Sequence, residues 1–332
     1  MKFLVAGCGS IGRRHISNLL ALGLGDVIAC DPDEAAADAV ARSHGVRAFT
    51  DIQTALAETP DAVFVCTPTH GHLNLAEQAL KAGAHLFIEK PLAVSLAGTD
   101  RLAKSVGEMA RVALVGCNMR FHPGVTAMRS ALEAGLIGQP YSYRAHVGEY
   151  LPDWRPGQDY RQAYSARAAE GGGIVMEGVH EIDYLRWLGG EVTDVRAMTA
   201  RTSDLEIDAE DVAEIVLRLE SGALAHIHLD YLRAVKARGC EVIGPGGLLI
   251  WASEGKPPRE RVTVRHYDAD RSVWSDLVSL DSYDGNEMYL DELRHFSDCL
   301  SGKAEPMLDI AGARRVLEIA LQVREEGHSS IG

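Results

Sequence analysis

Apolar and polar positions in the amino-terminal part of the chain switch repeatedly between two periods. "KFLVAG" is a short apolar run that ends in "GCGSIG"; beyond it Ile16, Leu19 and Leu20 recur at helical spacing until Gly23. The pattern predicts a strand, a tight turn and a helix. A second apolar strand, "DVIAC", ends on Asp31. Thr50-Asp51-Ile52-Gln53 has the form of a capping box that opens a helix. "DAVFVCT" then predicts a buried strand, "HLNLAEQALKAG" a helix closed by Gly83, "HLFIE" a strand, the segment after Ser95 a helix and "RVALVG" another strand. Strands that are apolar on both faces and alternate with helices predict a doubly wound parallel sheet covered on both sides.

The pattern changes after "NMRFHPG". A short helix to Gly135 gives way to strand-like stretches near Tyr141–Glu149, Val192–Arg201, Val212–Leu219, Ala223–Leu229, Cys240–Ile243, Leu248–Trp251 and Arg261–Tyr267. Helical periodicity returns over Glu287–Leu300 and Asp309–Glu325. Runs of strands bracketed by helices predict an α+β domain with a largely antiparallel open sheet. Residues 1–120 are read as an α/β Rossmann-type domain and 121–332 as a substrate-binding and oligomerisation domain. One face of the second sheet is then available to a second copy, giving a homo-oligomer, dimer or tetramer.

The turn carries the first chemistry. Gly7-x-Gly9-x-x-Gly12 lies between strand and helix, and an acidic residue, Asp31, follows Gly12 by 19 positions at the end of the second strand. That is the placement of a dinucleotide fingerprint: one glycine for the turn, one for close approach of the pyrophosphate, one for helix packing, with helix-start N–H groups on the phosphates. Asp31 suits the ribose hydroxyls and repels a 2'-phosphate, which favours NAD over NADP. Ligands in such sheets sit beyond the carboxyl ends of the strands, here Gly7, Asp31, Thr67-Pro68, Glu89-Lys90-Pro91 and Asn118.

Charge and cysteine usage remove other classes. With 33 Lys plus Arg against 47 Asp plus Glu the formal charge is -14, and no basic block stands out, so neither nucleic acid nor a membrane surface is an expected partner. The six cysteines are dispersed without a Cys-x-x-Cys pair, which fits a reducing cytoplasm rather than a disulfide framework or thiolate zinc site. Val5-Ala6-Gly7-Cys8 has the look of a lipoprotein cleavage box, but the apolar stretch of roughly 7 to 15 residues that an export signal needs ahead of it is missing.

Four segments together are specific: "AGCGSIGRRH", "CTPTHGHLNLAEQALKAGAHLFIEKPLA", "VGCNMRFHPG" followed by "GLIGQP", and "GGGIVMEGVHEIDYLRWLGG". Over nearly its whole length the chain resembles the glucose-fructose oxidoreductase / inositol dehydrogenase (Gfo/Idh/MocA) family. The resemblance implies an NAD(P)-dependent dehydrogenase or reductase acting on a CH–OH group of a polyol, sugar, sugar derivative, nucleotide sugar or cyclitol. It further implies that Gly7, Gly9, Ser10, Ile11 and Gly12 hold the pyrophosphate, Asp31 the ribose, and that Thr67, His72 and Glu89 lie along the cofactor. His72 has a second reading, as a cap of the helix that begins there. Lys90 would lie beside the nicotinamide, where an ammonium stabilises alkoxide character, and the Lys90–Pro91 bond would be cis.

In "GGGIVMEGVHEIDYLRWLGG", read as one helix turning about 100° per residue, Glu177, His180 and Tyr184 fall within about 60°, with Asp183 on the flank. The resemblance makes His180 the general acid/base paired with Lys90, a task suited to an imidazole that titrates near neutrality. An aspartate is frequent in the family three or four positions before this histidine; here Glu177 stands three before. Cys117 stands where the family usually has tyrosine. Upstream, "EYLPDWRPGQDYRQAYSARAAEGGG" supplies Trp154, Arg155, Tyr160 and Tyr164, and Arg161, for aromatic stacking on a sugar ring and for an anionic group. Asn118 completes the expected substrate-binding set. Glu177, His180, Asp183 and the pair His226-x-His228 are potential metal ligands by type, but no metal is expected, the alternating histidines reading as ordinary half-buried strand residues. Two other functions stay open: a non-catalytic NAD-binding regulator, and glycoside cleavage through a redox cycle with tightly held NAD.

Overall fold

The computed structural model describes residues 1–155, 157–256 and 259–327. The first part of the chain runs β1 (Lys2–Ala6), α1 (Ser10–Leu22), β2 (Asp26–Cys30), α2 (Glu34–His44), β3 (Arg47–Phe49), α3 (Ile52–Leu56), β4 (Ala62–Val65), α4 (His72–Lys81), β5 (His85–Glu89), α5 (Thr99–Glu108) and β6 (Ala113–Gly116). Their strands pair in parallel in the order β3-β2-β1-β4-β5-β6. Strands β1, β2, β4, β5 and β6 each carry a continuous buried apolar run because both of their faces are covered. Leu4, Val63, Val65, Leu86 and Ile88 enter one core, whereas Phe3, Val5, Phe64 and Phe87 alternate into the other. The strand order reverses between β1 and β4, which opens the carboxyl edge there to a ligand.

Two elements of this unit had weak sequence signals. Helix α2 is built on alanines and buries only Ala37 and Val40, so its apolar stripe is sparse; Asp33 caps it by accepting the N–H of Ala35 at 2.9 Å. Strand β3 is three residues long. At α3 the capping side chain is Asp51, which accepts the N–H of Thr54 at 2.8 Å, rather than Thr50. A carboxylate one residue nearer the helix satisfies the orphan donor directly.

The remaining elements are α6 (Pro123–Glu133), β7 (Ser142–Gly148), α7 (Ile174–Glu177), α8 (Val179–Gly189), β8 (Val192–Ala200), β9 (Val212–Leu219), β10 (Leu224–Asp230), β11 (Ala237–Gly244), β12 (Gly247–Lys256), β13 (Arg259–Asp268), β14 (Val273–Asp284), α9 (Glu287–Leu300) and α10 (Ile310–Gly327). Eight strands form one sheet in the order β14-β13-β12-β11-β7-β10-β9-β8, antiparallel except where β7 and β10 pair in parallel. Strict alternation, as in β9, sends Ala213, Ile215, Leu217 and Leu219 to the buried face and Glu214, Val216 and Arg218 outward. Strand β14 was not foreseen: it is an edge strand and almost every residue of it is exposed, so no burial pattern marks it.

The chain divides into two compact units: Met1–Cys117 with Tyr289–Leu317, and Asn118–Met288 with the stretch that starts at Glu318. The return of Tyr289–Leu317 differs from the simple boundary near residue 120. Leu293 and Phe296 of α9 join the core of Phe3, Phe64 and Phe87, and Leu308, Ile310 and Ala313 join the core on the other face of the same sheet. Phe64 stacks on Phe87 with centroids 4.6 Å apart, and Phe296 stands edge-on to both at 5.6 and 5.5 Å. Burying one such ring contributes about 1.5–3 kcal/mol.

Candidate functional site

In the first unit the fingerprint glycines have distinct steric duties. Gly7 has φ +103, and a Cβ there would lie 2.4 Å from the Cys66 carbonyl oxygen; a Cβ on Gly12 would lie 1.8 Å from the Gly7 carbonyl oxygen. A side chain at either position would push strand, turn and helix apart. Gly9 is the opposite case, with open space where a Cβ would be. It is also the N-cap residue of α1 and supplies no side-chain cap, while Ser10 is exposed and Ile11 half-buried beside it. Backbone donors at a helix start, facing open space, fit the pyrophosphate of a dinucleotide. Asp31 is half-buried at the end of β2. Its carboxylate accepts the N–H groups of Cys8 at 2.7 Å and Asp33 at 2.9 Å, which fixes an anion on the β2 side of the turn.

At the ends of β4 and β5 the structure joins residues that are far apart in sequence. Thr67 is half-buried and its Oγ1 has no hydrogen-bond partner among the described residues. His72 is buried as the first residue of α4; its Nε2 lies 2.8 Å from the Thr67 carbonyl and its Nδ1 3.0 Å from the Pro91 carbonyl. Both ring nitrogens are thus turned to backbone, so His72 clamps the loop after β4 to the loop after β5. It is neither a side-chain cap nor turned to open space. Burial lowers its pKa, against the pull of those carbonyls. Glu89 is buried, with Oε1 2.6 Å from Nε2 of the fully buried His15. Lys90 follows half-buried, and the Lys90–Pro91 bond is cis.

The second unit holds the histidine-bearing segment, and here the single helix of the sequence reading is two. Gly178 separates α7 from α8. A Cβ on it would lie 2.7 Å from Leu229 Cδ1 of β10, so the close approach of this backbone to the sheet leaves no room for a side chain there. Helix α7 is anchored separately: the Ile174 N–H donates to the Glu210 carbonyl at 3.1 Å and the Val175 N–H to Glu210 Oε1 at 3.3 Å. Glu177 ends α7 and His180 is the second residue of α8, and both are half-buried.

The other two carboxylates of the segment are fully buried and paired. Asp183 receives Arg120 Nε at 2.9 Å and Nη2 at 2.7 Å. Glu181 receives Arg238 Nε at 2.6 Å and Nη2 at 3.0 Å. Two bidentate pairs two residues apart, about 200° of helix rotation and so on nearly opposite faces, fix the rotation of α8. The four ionisable groups therefore divide into two fully buried ones that hold the helix and two half-buried ones, Glu177 and His180. A buried aspartate at position 183 is no metal-ligand candidate, because both its oxygens are spent on Arg120.

Asn118 is buried at the start of a short 3-10 segment, Asn118–Phe121. The aromatic loop folds on itself: Trp154 donates to the Glu149 carbonyl at 3.2 Å and packs edge-on to Tyr231 at 5.1 Å. Arg155 lies over the Tyr164 ring at 5.5 Å. The Tyr160 hydroxyl accepts the Glu206 N–H at 3.2 Å, and Arg161 pairs with Asp159 and Glu206 at 2.8 and 3.0 Å. Trp154, Arg155 and Tyr160 enclose a cavity of only about 10 Å³, room for about one water. On β10, His226 and His228 both meet the Glu214 carboxylate, at 3.0 and 2.6 Å.

Sequence reading did not single out His15, Arg120 or Arg238. His15 had a signal in its three-residue spacing from Gly12 on the face that also buries Ile16 and Leu19. The arginines had none, since their carboxylates are 63 and 57 residues away.

A family model described as an oxidoreductase family with an NAD-binding Rossmann fold matches residues 1–117, and a model of the GFO/IDH/MocA C-terminal domain matches residues 125–250. Among curated relatives, the myo-inositol 2-dehydrogenase of Thermotoga maritima is 32% identical over 307 residues, covering 89% of this chain and 87% of the relative. The NAD(+)-dependent scyllo-inositol 2-dehydrogenase of Bacillus subtilis is 27% identical over 335 residues, covering 97% and 92%. Among solved structures, the UDP-N-acetylglucosamine 3-dehydrogenase GnnA of Acidithiobacillus ferrooxidans superposes with a TM-score of 0.77 at 25% identity, over 98% of this chain and 97% of that one.

Proposed function

Because the chain belongs to the Gfo/Idh/MocA family of NAD-binding oxidoreductases, we propose that it moves hydride between a nicotinamide and a secondary alcohol or ketone of a sugar, sugar derivative, nucleotide sugar or cyclitol. The observation that carries the catalytic part is the division on α7 and α8. Glu181 and Asp183 pair with arginines that fix α8, and His180, on the same helix, and Glu177, at the end of α7, are half-buried.

NAD, when bound, supplies the hydride acceptor in the oxidative direction. Backbone N–H groups of Gly9, Ser10, Ile11 and Gly12 bind its pyrophosphate, and Asp31 accepts hydrogen bonds from the adenosine ribose and disfavours a 2'-phosphate. Thr67 lies along the cofactor and offers its hydroxyl. Lys90 donates a hydrogen bond to the reacting oxygen and stabilises the charge that gathers there as the C–H bond breaks. His180 accepts the hydroxyl proton and returns it in the reductive direction. Glu177 orients the His180 ring or holds a neighbouring substrate hydroxyl. Asn118, Trp154, Arg155, Tyr160 and Tyr164 form the substrate-facing set, the aromatic rings offering apolar faces to C–H edges and Arg155 a cation to an acidic substituent.

The test combines a substrate panel with two variants. NAD-linked turnover is followed by NADH absorbance against inositols, free sugars, sugar acids and nucleotide sugars. Lys90→Ala and His180→Ala are expected to bind NAD as the wild type does and to lose at least about 100-fold in kcat. Turnover at the wild-type level in either variant sinks the assignment, as does a wild type inert towards every class in the panel.

A further inference from the structure

We propose that His15 is a positioning residue that pins Glu89 as a fixed anion under the nicotinamide half of the cofactor, so that the protein favours the cationic oxidised ring over the neutral reduced one. This rests on the NAD reading of the first unit and adds to it a charge preference and the residue that maintains it.

The His15 side chain is 0% exposed and that of Glu89 11%, and their contact is 2.6 Å. Phe64, Phe87 and Tyr289 surround the imidazole, with ring centroids 5.3, 5.0 and 6.3 Å away. Its second nitrogen, Nδ1, is buried in that aromatic box with no hydrogen-bond partner among the described residues. An imidazolium would carry an N–H into the box with nothing to accept it, a costly arrangement. The geometry therefore fits a neutral ring whose Nε2–H donates to an ionised Glu89, and the pair carries one net negative charge. The Cys66 thiol is raised by burial and then by Glu89, and the Tyr289 phenol by burial, with Glu89 and Glu292 adding and Arg14 and Lys90 opposing. Arg14 lies over the Tyr289 ring at 4.4 Å, and Glu292 is a buried residue of α9, one turn on from Tyr289.

Placement follows from strand order. The pyrophosphate turn is at the end of β1 and the ribose-binding Asp31 at the end of β2, so the other nucleoside extends over β4 and β5, the far side of the reversal. Glu89 is the last residue of β5. Its Oε1 meets the imidazole at 2.6 Å and its Oε2 accepts the backbone N–H of Lys90 at 3.3 Å. A carboxylate held this way interacts with the ring's positive charge and is indifferent to its reduced form.

The test measures Kd for NAD+ and for NADH by fluorescence titration of the wild type, Glu89→Gln, His15→Leu and His15→Gln. Glu89→Gln is expected to shift the ratio of the two affinities towards NADH by the order of tenfold, the scale of one unit charge acting across several ångströms of partly hydrated protein. His15→Leu shifts it in the same direction by a smaller factor, and His15→Gln, whose amide N–H still donates, stays near the wild-type ratio. A ratio that stays within about twofold of the wild type in Glu89→Gln overturns the proposal. So does a His15→Leu variant that weakens both nucleotides equally, since that is the mark of a merely structural residue. If His15→Leu does not fold, Glu89→Gln alone decides. A wild type that binds neither nucleotide instead refutes the cofactor reading on which the proposal stands.

Discussion

Replacing Asp183 by Asn tests whether the buried pairs hold α8 as described. The substitution keeps the shape and removes the negative charge that faces the buried Arg120 guanidinium, whose side chain is 6% exposed. Of the two hydrogen bonds that Asp183 accepts, 2.9 and 2.7 Å, the amide keeps an acceptor for one and turns a donor towards the other N–H. Contact of Arg120 with the Trp187 ring at 5.5 Å remains and offsets only a small part. Stranding one member of a buried pair costs about 3–5 kcal/mol. For a unit of roughly 150–250 residues each kcal/mol displaces the melting temperature by about 2–4 °C, so a drop of about 6–20 °C is expected in the transition of the second unit. Differential scanning calorimetry resolves it. The double variant Arg120→Leu with Asp183→Leu should recover most of the loss, because removing both charges also removes the desolvation penalty. A shift below about 2 °C in Asp183→Asn refutes the reasoning. So does a double variant no better than the single one, which would make the attraction itself, rather than a stranded charge, the source of the loss.

Two further outcomes are expected. Burial lowers the His122 pKa from 6.5 to about 3, so below pH 6.5 the unfolded chain takes a proton that the folded chain refuses: stability falls as pH drops through that window, at up to about 1.4 kcal/mol per pH unit. Urea denaturation of wild type and His122→Asn across that range should show the shallower slope in the variant, and equal slopes remove His122 as the cause. The second concerns assembly: the outward face of the second sheet exposes Met198 by 73%, Val216 by 40%, Leu224 by 44% and Ile243 by 42%, an apolar set consistent with a second copy of the chain. Light scattering should give a dimer or tetramer mass that falls for Val216→Asp, and a monomer mass for the wild type would discard the assembly.

Legibility in the sequence followed the range of the interactions. The dinucleotide turn was legible because its demands are local: Gly7 and Gly12 exclude side chains through neighbours brought together by one strand-turn-helix unit and its adjacent strand. Continuous apolar strands announced a sheet covered twice, and alternation announced a sheet covered once. The close approach that keeps position 178 for glycine was not legible, since its neighbour is Leu229 of β10. Neither was the division of labour among Glu177, His180, Glu181 and Asp183, which depends on arginines supplied from 120 and 238. Helical geometry alone put three of the segment's polar side chains on one face; the structure instead separates Glu177 from His180 by a change of helix and buries the Tyr184 ring.

The return of Tyr289–Leu317 to the first unit sets an order of events during synthesis. When Cys117 leaves the ribosome, every strand of the parallel sheet has been made, yet Phe64 and Phe87 lack Phe296, and Leu86 and Val115 lack the neighbours that Leu308 and Ile310 bring. The ribosome must add 289 − 117 = 172 residues before Tyr289 emerges, which at about 5–20 residues per second is roughly ten to thirty seconds. For that interval the nascent nucleotide-binding half exposes an aromatic surface that belongs to its own unborn C-terminal region. It is a natural target for a holding chaperone, and the second unit has time to fold before the first is closed.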